Sequence, residues 1–229
     1  MIPWLDAPHF PPVDRALIQP NGLLAAGGAL DPEWLLAAYR RGIFPWFSAG
    51  EPILWWSPNP RMVLDPTQIK ISRSLAKTLR QDRFEVRFDT DFAAVIHACG
   101  ALRAESGGTW ITPAMERAYA RLHELGYAHS VECWQDGALV GGAYGVALDR
   151  AFFGESMFSR ARDASKVALV HLSRRLEARG FGVIDCQMST AHLQSMGGIE
   201  IARGDFVRTL ERLIGPQPAP QRWAHTPER

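Results

Sequence analysis

Apolar and polar positions follow two different styles along this chain, and the change falls near Asp65. Before it, "PNGLLAAGGALDPEWLLAAYRRGIFPWF" and "ILWWSPNPR" are rich in Pro, Gly and Trp. Asp31 as N-cap, Pro32 at the first helical position and Gly42 past the last turn bracket one helix there, because each suits the backbone demand of its place. Turns and aromatic packing are expected around it. After Asp65, helices alternate with strands. "ISRSLAKTLRQ" predicts a helix with Leu75 and Leu79 on one face and Arg73, Lys77 and Arg80 on another. "FEVRF" alternates as a strand, and "TPAMERAYARLHELG" has Thr, Pro and Gly where a helix starts and stops.

"SVECW" and "ALVGGAYGVAL" flank Asp136-Gly137, a hairpin signal, and "AFFGESMFS" continues the run as an antiparallel meander. "ASKVALVHLSRRLEARG" predicts a long helix that turns Val167, Val170 and Leu176 to a sheet, with the short strand "GVIDCQ" after it. This order predicts an α+β domain of acyltransferase-like build over residues 65–229, preceded by a small N-terminal domain over 1–64. No internal repeat is visible, and the Pro-rich tail after Gly215 is expected to be irregular.

Composition adds limits. At 229 residues and 47% hydrophobic, the chain can bury a real core. A net charge of +1 argues against a surface that coats a polyanion, so any such partner must meet a local patch. Cys99, Cys133 and Cys186 are odd in number and show no Cys-x-x-Cys spacing, which suggests neither a disulfide framework nor a zinc ribbon and fits a reducing cytoplasm. "MIPWLDAPHFPP" lacks a basic, then apolar leader pattern, and no later segment is apolar over a membrane's width. A soluble, unprocessed chain is expected.

Several residues invite chemistry. In a regular strand Asp185 and Gln187 share one face and Cys186 takes the other, pairing a carboxylate with an amide at a strand end. A structural polar pair fits the same spacing. Glu155 stands among Phe152, Phe153, Met157 and Phe158, where a carboxylate is costly to desolvate without a cation or several donors. Either it pairs with Arg160, Arg162 or Lys166, or it meets a substrate. The basic run from Lys70 to Arg87, with Arg73, Lys77, Arg80 and Arg83, suits phosphate contacts or a solvated face. Trp46, Trp55, Trp56 and Trp110 suit stacking on a base, holding a side chain, or core packing.

Ser156, Asp185 and His192 follow the chain order of a hydrolase triad, but Phe158 stands where the nucleophile turn needs its second glycine. His123 and His129 lack a metal-helix spacing, "AAGGAL" is too short for a dinucleotide signature, and "RARDASK" supplies no Gly-rich pyrophosphate loop.

Read together and in order, "PNGLLAAGGALDPEWLLAAYRRGIFPWF", "WWSPNPR", "ISRSLAKTLR", "GTWIT", "LVGGAYGVAL", "FFGESMFS", "DASKVAL" and "IDCQ" resemble the leucyl/phenylalanyl-tRNA-protein transferases of bacteria. The resemblance implies a cytoplasmic aminoacyltransferase that moves Leu or Phe, and less readily Met, from aminoacyl-tRNA to the N-terminal Arg or Lys of a protein. The product is an N-end-rule degradation signal. It implies a larger domain of N-acetyltransferase-like (GNAT-like) fold, a monomer, no membrane contact, and no metal or nucleotide cofactor.

It also assigns a relay of Asp185 and Gln187 to catalysis, and a pocket of Phe152, Met157, Leu169 and Leu172, with Trp46 and Trp110, to the transferred side chain. Glu155 becomes a partner for the acceptor's cation, Ser156 a hydrogen-bonding support, and Arg73, Lys77, Arg80 and Arg83 contacts for tRNA. An amide oxygen is a very weak base, and an ordinary α-amine is already roughly a tenth neutral at cytoplasmic pH, so orienting the amine is the expected role of Gln187. The chain departs from the family at Ala143, where a larger apolar residue is expected, and at Gly198 and Ala202. A non-catalytic module that binds tRNA or peptide N-termini on the same scaffold is the alternative; it would form no peptide bond.

Overall fold

The computed structural model describes residues 2–105 and 108–223. In chain order its elements are β1 (Trp4–Leu5), β2 (Leu23–Gly27), α1 (Pro32–Tyr39), β3 (Phe44–Pro45), β4 (Leu54–Trp56) and β5 (Arg61–Leu64). There follow α2 (Arg73–Arg80), β6 (Glu85–Phe88), α3 (Phe92–Glu105), α4 (Pro113–Glu124), β7 (Ala128–Gln135), β8 (Ala138–Leu148) and β9 (Ala151–Ser159). The chain ends with α5 (Ala164–Ala178), β10 (Val183–Gln187), α6 (Ala191–Ser195), β11 (Ile199–Ile201) and α7 (Arg203–Leu213).

Helix starts obey their caps. Asp31, Ser72 and Thr112 each accept the backbone N–H three residues on, at 3.4, 3.2 and 3.3 Å, and so satisfy a donor that the helix itself leaves free. The meander predicted from "SVECW" to "AFFGESMFS" is β7-β8-β9, joined first at Asp136 and Gly137, both of positive φ. At Gly145 in β8 a Cβ would lie 2.2 Å from the Phe153 carbonyl and 2.6 Å from the Phe152 ring, so only glycine lets β9 approach there.

A seven-stranded sheet runs in the order β11-β5-β10-β9-β8-β7-β6, antiparallel except for the parallel pair β9 and β10. Alternating side chains leave its two faces to different partners. Phe153, Val146 and Leu148 join α3 and α4 in one apolar cluster with Trp34, Leu35, Tyr39 and Trp55 of the first sixty residues. Phe152, Ala147 and Ile184 join the other, beneath Val167, Val170 and Leu176 of α5, which face the sheet as predicted. The class is α+β, with helices flanking a mixed sheet.

Two parts differ from expectation. The first quarter is not only turn and aromatic packing: β1, β2, β4 and β3 form a small sheet of strands two to five residues long. Pieces so short, broken by Pro and Gly, leave no readable alternation. The helix α3 was not predicted, because "FAAVIHACGALRAE" is apolar around most of its circumference and shows no clean polar face. β5 precedes the expected domain border at residue 65, yet it lies inside the larger sheet, between β10 and β11. The tail beyond Gly215 is irregular but held: Asp149 accepts from the Gly215 and Ala219 N–H groups, and Trp223 stacks on His129 at 4.1 Å.

Candidate active site

The parallel pairing of β9 with β10 ends at Phe153 and Asp185. The residues that follow on both strands, Gly154 to Met157 and Cys186 to Met188, line a cavity of about 430 Å³. Leu169 and Leu172 of α5 close one side, Phe44, Trp46 and Trp110 stand at another, and Ala143 and Tyr144 come from β8. All eight residues predicted for substrate contact line this one cavity: Trp46, Trp110, Phe152, Glu155, Ser156, Met157, Leu169 and Leu172. Of the other tryptophans, Trp55 is core and donates to the Gly27 carbonyl, while Trp56 donates to the Trp46 carbonyl and packs edge-on against its ring.

Gln187 lines the cavity, but Asp185 does not. The ladder to β5 shifts register between them, and Gln187 has φ of +63°, so strict alternation fails. Contrary to the expected facing, Cys186 also lines the cavity. Asp185 lies behind, fully buried, where its two oxygens accept from Nε and Nη2 of Arg61 at 2.7 and 2.6 Å. It touches Gln187 through the backbone N–H, 2.9 Å from Oδ1, rather than through the side-chain amide.

That amide is held by Glu155: Nε2 of Gln187 donates to Oε1 at 2.7 Å. The Tyr119 hydroxyl donates to Oε2 at 2.9 Å, and Tyr39 in turn bonds to Tyr119. Among the described residues no cation pairs with Glu155. Arg162 and Lys166 lie near Asp163, and Arg160 over the Phe158 ring. Of the expected alternatives, the internal ion pair is thus absent. Burial pushes the Glu155 carboxyl up to about 7, against the opposing pull of bonds from Tyr39, Tyr119 and Gln187, with the nearby Asp185 charge adding to the rise. The same burial raises both tyrosines well above their ordinary value.

The hydrolase triad does not assemble. Ser156 Oγ accepts from Arg103 Nε at 3.1 Å, Asp185 is committed to Arg61, and His192 Nε2 has no partner among the described residues. Arg61, Arg103, Tyr39 and Tyr119 are the contributors that sequence reasoning missed. Only Arg61 left a trace, as a lone arginine opening the apolar run "RMVL".

Comparison with known proteins now bears on the site. The family model described as leucyl/phenylalanyl-tRNA protein transferase matches residues 63–211, and that of its N-terminal domain matches residues 28–59. A leucyl/phenylalanyl-tRNA–protein transferase of Azoarcus sp. is 70% identical over 99% of this chain and 97% of its own length. One from Aromatoleum aromaticum is 64% identical over 98% and 95%.

The chain belongs to the leucyl/phenylalanyl-tRNA–protein transferase family.

It is accordingly an enzyme, a transferase. Among solved structures, an aminoglycoside acetyltransferase from a soil metagenome is similar over 63% of this chain and 97% of its own, at 11% identity and a TM-score of 0.40. In this family member the predicted basic residues Arg73, Lys77 and Arg80 are exposed on α2, with Arg83 exposed just beyond it. None of the four forms an ion pair among the described residues, whereas Arg87 is bound to Glu85 at 2.7 Å. Among the described residues no helix is long and apolar enough to cross a membrane.

One group was not anticipated. Asp89, His123 and His129 bring ligand-type atoms within 4.8 Å of one another, although the two histidines have no metal spacing in sequence. Their near atoms are already engaged: His129 Nδ1 with Asp89 at 2.7 Å, His123 Nδ1 with the Ala128 carbonyl at 2.8 Å, and Asp89 Oδ1 with the Ser130 N–H at 2.8 Å. The cluster is a brace between α4, β7 and the turn before α3.

Proposed function

We propose that this transferase moves Leu or Phe, and less readily Met, from aminoacyl-tRNA to the N-terminal Arg or Lys of acceptor proteins, marking them for N-end-rule degradation. It acts in the cytoplasm as a monomer. One observation carries this reading: a single cavity joins an apolar wall of Phe152, Met157, Leu169 and Leu172 to a polar edge of Glu155 and Gln187. Apolar walls select Leu, Phe and Met by size, and they reject polar side chains because their hydrogen-bonding groups would be stranded.

The reaction is aminolysis of an ester that is already activated, so the site must supply orientation, a neutral amine and a proton for the departing ribose oxygen. With its Nε2 fixed on Glu155, Gln187 has its amide oxygen free to accept an N–H of the acceptor amine. Asp185 acts from behind by clamping the bulge that presents Gln187. The exposed arginines and lysine of α2 hold tRNA phosphates without reading sequence. An N-terminal unit ending before Arg61 and an acetyltransferase-like remainder complete the reading, supported by the meander, helix and parallel strand of the larger sheet.

The test is direct. Labelled phenylalanyl-tRNA and a peptide beginning with Arg should yield the Phe-extended peptide without ATP; no transfer would sink the reading.

A further inference from the structure

The polar edge of the cavity, Glu155 with Gln187, offers a carboxylate that can accept a proton beside the amide that faces the substrate. Among the described lining residues the charged or titratable side chains are Arg103, Tyr144, Glu155, Cys186 and His192. Arg103 is a permanent cation, burial raises Tyr144 and Cys186 so that both keep their protons, and burial with the nearby Lys166 charge lowers His192, leaving it a weaker base than an ordinary imidazole. Asp185, the other carboxylate nearby, has both oxygens on Arg61 and does not reach the cavity. Glu155 is held by neutral donors alone, Gln187 on Oε1 and Tyr119 on Oε2, with Tyr39 adding a further bond. A carboxylate has about four acceptor sites, so three donors still leave one open.

Resting on the transfer reading above, we propose that Glu155 is the base that takes the proton from the acceptor's α-ammonium, with Tyr119 as its positioning residue. The N–H bond breaks, the proton goes to a Glu155 oxygen, and the freed electron pair of nitrogen attacks the ester carbonyl carbon. Collapse of the tetrahedral adduct breaks the bond to the ribose oxygen. That oxygen takes the second proton shed by nitrogen, and Glu155 releases its own to solvent, so one proton leaves per peptide bond. Gln187, tied to Glu155 by 2.7 Å, sets the amine's approach and need not be basic.

The groups around Glu155 suit this role. Tyr39 from α1, Tyr119 from α4, Tyr144 from β8 and Asp185 from β10 face it, and the Arg61 cation is spent on Asp185. Arg103 of α3 lines the same cavity but donates to Ser156, no cation among the described residues pairs with the carboxylate, and desolvation brings it to about 7, close to an α-amine of about 8. Proton transfer is most effective when donor and acceptor are so matched near the working pH.

The test measures kcat/KM for transfer from phenylalanyl-tRNA to an Arg peptide between pH 6.5 and 8.5 in the intact protein. Wild type should rise with Glu155 ionisation near pH 7, and Glu155→Gln only with the free amine near pH 8. The variant's deficit should then be about sixfold larger at pH 6.5 than at pH 8.5. Tyr119→Phe removes a donor to the carboxylate and should move the rising limb to higher pH. A deficit equal at both pH values in both variants, or no deficit in Glu155→Gln, overturns the assignment. Wild type that transfers nothing overturns the transfer reading itself, and this assignment with it.

Discussion

Arg61 grips Asp185 through two hydrogen bonds in a place where neither side chain has any exposed surface. The guanidinium is also packed between the rings of Phe44 and Phe206, each 4.8 Å from its carbon. Such a pair adds little over an apolar replacement, but removing one member strands a charge. Asp185→Ala should therefore cost about 3–5 kcal/mol in urea unfolding. Replacing both, as Arg61→Met with Asp185→Leu, should recover much of that. Loss of activity on changing Asp185 would then be traced partly to the fold, through the strand that presents Gln187.

Glu155 predicts the opposite sign. Its carboxyl is raised from an ordinary value of 4.5 to about 7 in the folded protein. The folded state binds the extra proton, so its stabilising contribution is complete below about pH 4.5 and is lost as pH rises through 7. The difference is on the order of 3 kcal/mol for a group this deeply buried. Glu155→Gln should raise the melting temperature at pH 8 and give almost no gain at pH 5. A gain independent of pH would contradict a raised carboxyl.

Much of this was legible in the sequence, for identifiable reasons. Local signals decided the caps at Asp31 and Thr112 and the Asp136-Gly137 hairpin, because each is satisfied within a few residues. The apolar site residues were found because the motifs around Phe152 and Leu169 resemble one family. What stayed hidden depends on long-range pairing. Arg61 meets Asp185 across 124 positions, and Tyr119 reaches Glu155 across 36, with no pattern in between. Glu155 and Gln187 were each singled out, yet nothing in the spacing said that they touch. The face of Gln187 was misjudged because a bulge at one residue reverses alternation, and the chain carries no glycine there to announce it.

Ala143 sets the width of the cavity between Met157, its partner across the β8 and β9 ladder, and the α5 wall. A larger residue should narrow the space for the transferred side chain. Ala143→Leu is expected to favour Leu over Phe by about 1–3 kcal/mol, or tenfold or more in the ratio of kcat/KM for the two charged tRNAs. An unchanged ratio would place the side chain elsewhere in the cavity.

The α2 face offers a test that separates binding from chemistry. Arg73, Lys77 and Arg80 follow one helical face, all exposed, while Leu75 and Thr78 are buried on the other. If the face meets phosphates, each contact releases counterions, and log affinity falls linearly with log salt. Lys77→Ala and Arg80→Ala should each weaken charged-tRNA binding and reduce the salt slope by about 1, with the rate at saturating tRNA preserved. Arg87→Ala supplies the contrast, since Arg87 is already bonded to Glu85 and lies over Trp134. Its slope should stay at the wild-type value; if it falls as far as that of Lys77→Ala, general charge rather than the α2 face governs tRNA binding.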